Sequence, residues 1–372
     1  MKHLTKRLLA LTAALALTFS LAACGAPAQE SETTETTETT ESTETTETAP
    51  EEEAEAPAEE ATVGQSEESE PAADQTTIRV AALKGPTAIG MLDLMEKDAA
   101  QESANDYEFS LVAAPDEMTG KIVSGEVDIA AVPTNLAPVL YKKTEGAVQM
   151  AALNTMGVLY VVEKGDTVSS VADLAGKTIL SSGQGSVPEY AFNAILSKNG
   201  IDPASGVNVV YKTEHSEVAA GLASGEATIA VLPQPFVTTV TTKQPDVRVA
   251  LDLTEEWNKV YPESGLTMGC VVVRSEFAQQ HPDELNAFLD EYRASAEAAN
   301  DPENLEHTAQ LCADQDLFPK EVAMKAIPEC NIVFKEGDEM KQIASGFFQV
   351  LFDANPQSVG GSLPDDGLYY QR

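Results

Sequence analysis

Lys84-Gly85-Pro86-Thr87 and Gln184-Gly185-Ser186 stand about a hundred positions apart, each after a short apolar run and before a helical pattern. Pro133-Thr134-Asn135 and Pro233-Gln234-Pro235-Phe236 form a second pair at the same spacing. A turn between a strand and a helix presents the free N–H groups of the first helical turn and a partial positive charge. That combination suits a carboxylate, sulfonate or phosphate. The side chains of Thr87, Thr134, Asn135, Gln184, Ser186 and Gln234 can donate to an acceptor or accept from a donor. Asn154, Thr155 and Thr267 are placed to line a floor, and Tyr190 and Phe236 to act as aromatic walls. For each hydroxyl the alternative is a helix cap that serves its own backbone. Lys84 is the only basic side chain in the four turns, so an anion would rely mainly on backbone and hydroxyl donors.

Covalent and acid–base chemistry finds little support. His3 lies in the leader, and His215, His281 and His307 lie in polar, surface-like contexts. No HExxH, GxSxG, Walker A or CxxC pattern is present. GQGS (183–186) lacks the last glycine of a dinucleotide fingerprint. No Cys/His cluster offers a metal site. Neither a metal nor any other cofactor is expected, and the chain is not expected to be an enzyme. Cys270 falls in an apolar strand and reads as core. Cys312 and Cys330 could form a disulfide outside the cell or remain buried thiols; spacing does not decide.

The elements that must carry the four turns appear twice. SGEVDIAAVP (124–133) returns as SGEATIAVLP (224–233), and windows 118–133 and 218–233 share six identities. The pattern extends beyond identity. Ile78–Ala82 lies over Thr178–Ser182 as a buried strand, with Gly85 over Gly185 in the following turn. Strands 108–114 and 208–212 follow, then short helices ended by Gly125 and Gly225. A strand leading to Pro133 or Pro233 comes next, and strands 147–153 and 247–251 close each unit. Alternation at these lengths predicts an α/β protein of two similar lobes, each a mostly parallel sheet flanked by helices. In such sheets ligands sit beyond the carboxyl ends of the strands, where helices begin.

A second doubling has another offset: TMGVLYVV (155–162) returns as TMGCVVVR (267–274). These runs read as two strands that carry the chain between the lobes, with Gly157 and Gly269 at a hinge. The alternative is two chance tripeptides before valine-rich strands. The predicted division is 78–157 with 268–372 for lobe one and 158–267 for lobe two. Residues 275–355 are mostly helical by pattern and should pack on lobe one. GFFQVLF (346–352) is core by this reading; the alternative is an exposed partner-binding helix. Trp257 is expected to pack.

The net charge is −37. Between Gly25 and Thr77 there are 17 acidic and no basic residues, and the rest beyond it is still acidic. Phosphate backbones would be repelled, which argues against nucleic acid. The same field disfavours highly charged anions and favours a mono-anionic or neutral polar ligand. Residues 1–24 read as a signal segment: Lys2, Lys6 and Arg7, an apolar run, then Leu21-Ala22-Ala23-Cys24. The last four resemble a bacterial lipobox, which implies lipidation of Cys24; the alternative is an ordinary signal peptide. Residues 25–77, rich in Glu and Thr, cannot bury enough apolar surface to fold and read as a disordered tether. Even an unrepelled flexible chain of that length reaches roughly 40 Å r.m.s..

DLAGKTILSSGQGS (173–186), the paired SGExxIA…P segments and VVRSEFAQQHPDELNAFL (272–289) resemble solute-binding proteins of ABC importers. The closest match is the group for nitrate, sulfonate, taurine, bicarbonate and thiamine precursors. The resemblance covers about 78–330. It implies a type II periplasmic-binding fold that closes on a small molecule and delivers it to a permease driven by an ATPase. It also implies a bacterial, extracytoplasmic, membrane-anchored monomer. A ligand-sensing lipoprotein on the same fold is the alternative reading. Enzymes exist on this fold, but their Cys- and His-rich motifs are missing here.

Overall fold

The computed structural model describes residues 76–113 and 115–372. Residues 1–24 with Cys24, and the acidic segment apart from its last two residues, lie outside the described residues. The first half of the chain forms β1 (Thr77–Leu83), α1 (Pro86–Ile89), α2 (Leu92–Ala99), β2 (Asp106–Val112), α3 (Pro115–Ser124), β3 (Ile129–Pro133), α4 (Leu136–Lys143) and β4 (Val148–Met156). Next come β5 (Leu159–Lys164), β6 (Thr178–Ser182), α5 (Val187–Lys198), β7 (Asn208–Lys212), α6 (His215–Ser224), β8 (Ile229–Pro233), α7 (Phe236–Lys243), β9 (Val247–Asp252) and α8 (Leu253–Val260). The rest is β10 (Thr267–Arg274), α9 (Ser275–Gln280), α10 (Pro282–Asn300), α11 (Leu305–Asp314), α12 (Lys320–Ala326), β11 (Ile332–Lys335) and α13 (Gly337–Ala354). Among the described residues no helix is long and apolar enough to cross a membrane.

The strands form two sheets, ordered β11-β4-β10-β3-β1-β2 and β7-β6-β8-β5-β9. Apart from the edge strand β11, the orders match strand for strand. β1, β2 and β3 run parallel, as do β6, β7 and β8. The inserted strands β10 and β5 run antiparallel to both neighbours. The sheets are therefore mixed, with parallel cores where mostly parallel sheets were expected. The cause is the crossing itself. A strand that enters from the other sheet starts at the end where its new neighbours finish, so it must run against them.

Strand pairing measures the repeat. Val80 pairs with Phe109 and Ile129, while Ile179 pairs with Val209 and Ile229. The second and third strands keep the offset of 100, but the first is offset by 99. Laying Ile78 over Thr178 was thus one residue out; Arg79 is the counterpart. The turn shifts as well: Gly85 caps α1 directly, whereas Ser186, not Gly185, caps α5. The Ser-Gly-Glu pairs are helix ends. Gly125 and Gly225 take φ of 77° and 80°, a left-handed conformation that costs glycine least. The amides of Glu126 and Glu226 donate back to Lys121 and Gly221, each at 3.0 Å.

Helices α10 and α11 pack on α2, beside the six-stranded sheet. α13 packs on β4 and β10 of that sheet and also reaches α5, which follows β6 of the other. Its Phe347, Phe348 and Leu351 are fully buried in a cluster that includes Phe192 and Ile195 of α5. GFFQVLF is accordingly a core segment. Trp257 is 0 % exposed, with its ring between Tyr261 and Phe347 and its Nε1 donating to the Ser264 carbonyl at 2.7 Å. The tail after α13 is not loose: Leu368 is buried, and the Tyr370 amide donates to Met150 on β4. β11, an unanticipated strand, covers the same edge of β4 further along. Cys270, Cys312 and Cys330 are free buried thiols, and burial pushes the Cys312 thiol up to about 12.

Glu163 on β5 is 1 % exposed and illustrates how a charge survives burial. Desolvation opposes its ionisation. Donation from the Thr167 hydroxyl and amide, the Val168 amide and Arg248 outweighs it, and the carboxyl is held below its ordinary range. A lowered folded value stabilises above the unfolded pKa, and that stabilisation is lost as pH falls through the folded one. Glu163→Gln should cost about 2 kcal/mol near pH 7, because an amide leaves buried donors unpaired. Urea titrations should show the gap to wild type closing below about pH 4. A gap that stays constant with pH would contradict this account.

Candidate functional site

A cavity of about 250 Å³ opens where the carboxyl ends of the parallel strands of the two sheets meet. From the six-stranded side come Leu83 at the end of β1 with the turn through Thr87, Ala113 after β2 and Pro133 at the end of β3. The five-stranded side contributes Ser182 at the end of β6 with Ser186 and Pro188 beyond it, Thr213–Ser216 after β7, and Pro233 at the end of β8 with Gln234 and Phe236 beyond it. Thr155, Val158 and Met268 line it where the chain crosses, and Leu317 and Phe318 reach it from the turn between α11 and α12.

Of the residues singled out from sequence, Lys84, Gly85, Pro86, Thr87, Thr155, Ser186, Gln234 and Phe236 line this cavity. Gln184 and Gly185 are exposed on the same turn as Ser186 but outside the lining. Tyr190 lies one turn up α5, half-buried against the core. Thr134, Asn135, Asn154 and Thr267 are buried just behind the wall. Each of Thr134, Asn154 and Thr267 adjoins a lining residue, respectively Pro133, Thr155 and Met268. Asn154 and Thr267 lie in strands, where successive side chains turn to opposite faces, and Thr134 lies in the turn after β3.

The polar groups divide by occupation. The Thr87 hydroxyl donates to the Leu83 carbonyl at 2.7 Å, and Gln234 Oε1 accepts from the Thr238 amide and hydroxyl. Both contacts are local, reaching four residues along the chain. Asn135 Nδ2 donates to the Ser358 carbonyl, and the Thr155 hydroxyl donates to Asn154 Oδ1. Ser186 caps α5 without a side-chain bond to the helix. Thr134 Oγ1, Asn135 Oδ1 and Thr267 Oγ1 have no partner among the described residues.

The β7–α6 turn was not among the four anticipated, although the same strand-end rule points to it. His215, read as a surface residue, is in the cleft. Its Nδ1 shares a 2.5 Å hydrogen bond with the Ser182 hydroxyl, and its ring lies 5.3 Å from that of Phe236. Burial pushes its pKa down to about 4, so the imidazole is neutral at pH 7. Glu214, exposed beside it, is also in the lining, with its carboxylate accepting from the Ser216 hydroxyl at 3.0 Å, and Lys84 is the only Lys or Arg there. Such an arrangement can hold a small solute by hydrogen bonds and apolar contact. Among the described residues no His/Cys/Asp/Glu group could hold a metal.

Residues 95–309 match the family of ABC transporter, phosphonate, periplasmic substrate-binding proteins. The chain belongs to this family. The substrate-binding protein is thus the ligand-capturing component of an ABC importer, in a non-enzymatic family of periplasmic proteins. A search of curated proteins finds none that matches its sequence. Among solved structures it is similar to an ABC transporter protein from Parabacteroides distasonis, with 25% identity, TM-score 0.66, and coverage of 80% of this chain and 99% of that one. It shares its fold with the aliphatic sulphonate binding protein SsuA from Escherichia coli at 15% identity and TM-score 0.63, covering 79% and 92%. The same holds for the nitrate-binding protein NrtA from Synechocystis PCC 6803 at 15% identity and TM-score 0.54, covering 67% and 69%. These matches make the binding protein a two-lobed periplasmic-binding fold of type II. The family match stops short of the β1 turn at one end and of Leu317 and Phe318 at the other.

Proposed function

We propose that this substrate-binding protein is a lipid-anchored, extracytoplasmic receptor for a small mono-anionic or neutral polar solute. The solute is of the sulfonate, taurine, nitrate or thiamine-precursor kind, and it passes to a permease and its ATPase. Lobe one is 78–157 with 268–372, lobe two is 158–267, and the lobes close about Gly157 and Gly269. The observation that carries the reading is a cavity between the strand ends of both sheets with Lys84 as its one Lys or Arg. A phosphonate dianion would call for a second cation, and Glu214 on the opposite wall repels a second negative charge. Lys84, Thr155, Ser186 and Gln234 are the residues assigned to the ligand's polar groups. Thr134, Asn135, Asn154 and Thr267 form a layer of buried donors and acceptors behind them. The anchor rests on the Leu21-Ala22-Ala23-Cys24 stretch followed by a long acidic segment.

The test is made on protein isolated from bacterial membranes. Its N-terminal peptide should carry a diacylglycerol on Cys24; an unmodified N-terminus in the soluble fraction would remove the anchor from the proposal. The same sample is screened by thermal shift against alkyl and aryl sulfonates, taurine, nitrate, pyrimidines and amino acids. A binder at a hundred times its Kd should stabilise by roughly 2.7 kcal/mol. Small-angle scattering should show a more compact particle. No stabilisation by any compound, together with unchanged scattering, would sink the receptor reading.

A further inference from the structure

Three rings meet along one wall of the cavity. His215 and Phe236, both from the side of the five-stranded sheet, have centroids 5.3 Å apart at 49°. Phe236 meets Phe318 edge to face, at 5.3 Å and 81°. Phe318 sits in the turn between α11, which packs on α2 beside the six-stranded sheet, and α12, which packs on α7 of the other side. The Phe236–Phe318 contact adds a ring to that junction, at the cavity itself.

The α11–α12 turn is built to present that ring. α11 ends at Asp314, and Asp316 takes a left-handed φ of 51°, which an Asp tolerates better than most residues. The amides of Leu317 and Phe318 both donate to the Cys312 carbonyl, at 2.9 and 3.4 Å. Pro319 then caps α12, whose Val322, Ala323 and Ala326 are buried. A turn held this firmly at both ends could have sent Phe318 into the core. Instead Phe318 stays half-buried on the cavity, while Leu317 both lines the cavity and packs against the core.

We infer that Phe318 determines specificity, closing the cleft against Phe236 and selecting ligands with a flat apolar body and a single anionic group directed to Lys84. The inference rests on the receptor reading above and narrows its ligand class. Edge and face contacts favour a flat π-system over an alkyl chain of equal polarity. The neutral imidazole of His215 extends the same wall without adding charge. Lys84 supplies one positive charge, and Glu214 disfavours a second negative one on the ligand.

Benzenesulfonate and ethanesulfonate serve as probes, titrated calorimetrically into the purified protein. Wild type should bind benzenesulfonate at least tenfold tighter than ethanesulfonate. Phe318→Ala and Phe318→Leu should weaken benzenesulfonate about tenfold and change ethanesulfonate less than twofold, while Phe318→Trp keeps the preference. Phe318→Leu preserves an apolar side chain in the turn, so the comparison survives an unstable alanine variant. An unchanged selectivity ratio in the leucine variant, or equal losses for both probes, would overturn the role of Phe318 and leave the receptor reading intact. No binding of either sulfonate would overturn the aryl-anion assignment, and the wider panel with scattering then decides the receptor reading on its own.

Discussion

Replacing Trp257 with Ala should destabilise the protein by about 3–5 kcal/mol, the range for removing a large, fully buried aromatic side chain. The ring joins elements distant in sequence. α8 brings it, α13 meets it through Phe347, and Tyr261 closes the other side. Removing it leaves a void between α8 and α13 and strips the Ser264 carbonyl of its donor. Trp257→Phe should cost less, since most of the aromatic contact remains and only the hydrogen bond is lost. Urea unfolding followed by far-ultraviolet circular dichroism measures both. Trp257 is the only tryptophan, so wild-type fluorescence reports this one junction. A loss below about 1 kcal/mol for the alanine variant would show that α13 does not depend on it.

The second large effect is expected at the first crossing. Neither Gly157 nor Gly269 adopts positive φ, so unusual backbone angles do not explain them. Close approach does. A Cβ on Gly157 would lie 2.2 Å from Thr254 Oγ1, and one on Gly269 would lie 2.4 Å from Asn154 Oδ1. Thr254 is held at the start of α8, where its amide donates to Asp252 at 2.7 Å. Gly157→Ala should therefore cost about 1–3 kcal/mol through overpacking. Adding Thr254→Ala removes the offending hydroxyl and should return most of the loss, a coupling that a double-mutant cycle reads directly. If Gly157→Ala costs the same in both backgrounds, crowding against Thr254 is not the reason for the glycine.

Much of the fold was legible because the two halves restate the same local chemistry. Gly125 and Gly225 end helices, Pro133 and Pro233 end buried strands, and the paired Thr-Met-Gly runs mark the crossings. What escaped depends on register and on distance. Identity does not fix which strand residue pairs with which, so the first strands were aligned one residue out. The same alternation put Asn154 and Thr267 behind the wall instead of on it. His215 sits in Thr-Glu-His-Ser-Glu, a run that looks solvated, yet a turn at a strand end is polar because it borders a cleft. Phe318 carries no local signal at all. Its place follows from the packing of α11 on α2, more than two hundred positions earlier in the chain.

The exchanged strands have a consequence for how the molecule comes into being. All five strands of the second sheet lie within the continuous stretch Leu159–Asp252. The first sheet keeps β3 and β4 on either side of β10, which begins only at Thr267. A nascent chain that has emerged as far as Met156 holds four strands and lacks the one that joins β3 to β4. By the time that strand is made, the whole second sheet already exists. Synthesis from the N-terminus thus completes the sheets in the reverse of their order of first appearance, and the lobe begun first is the last to close.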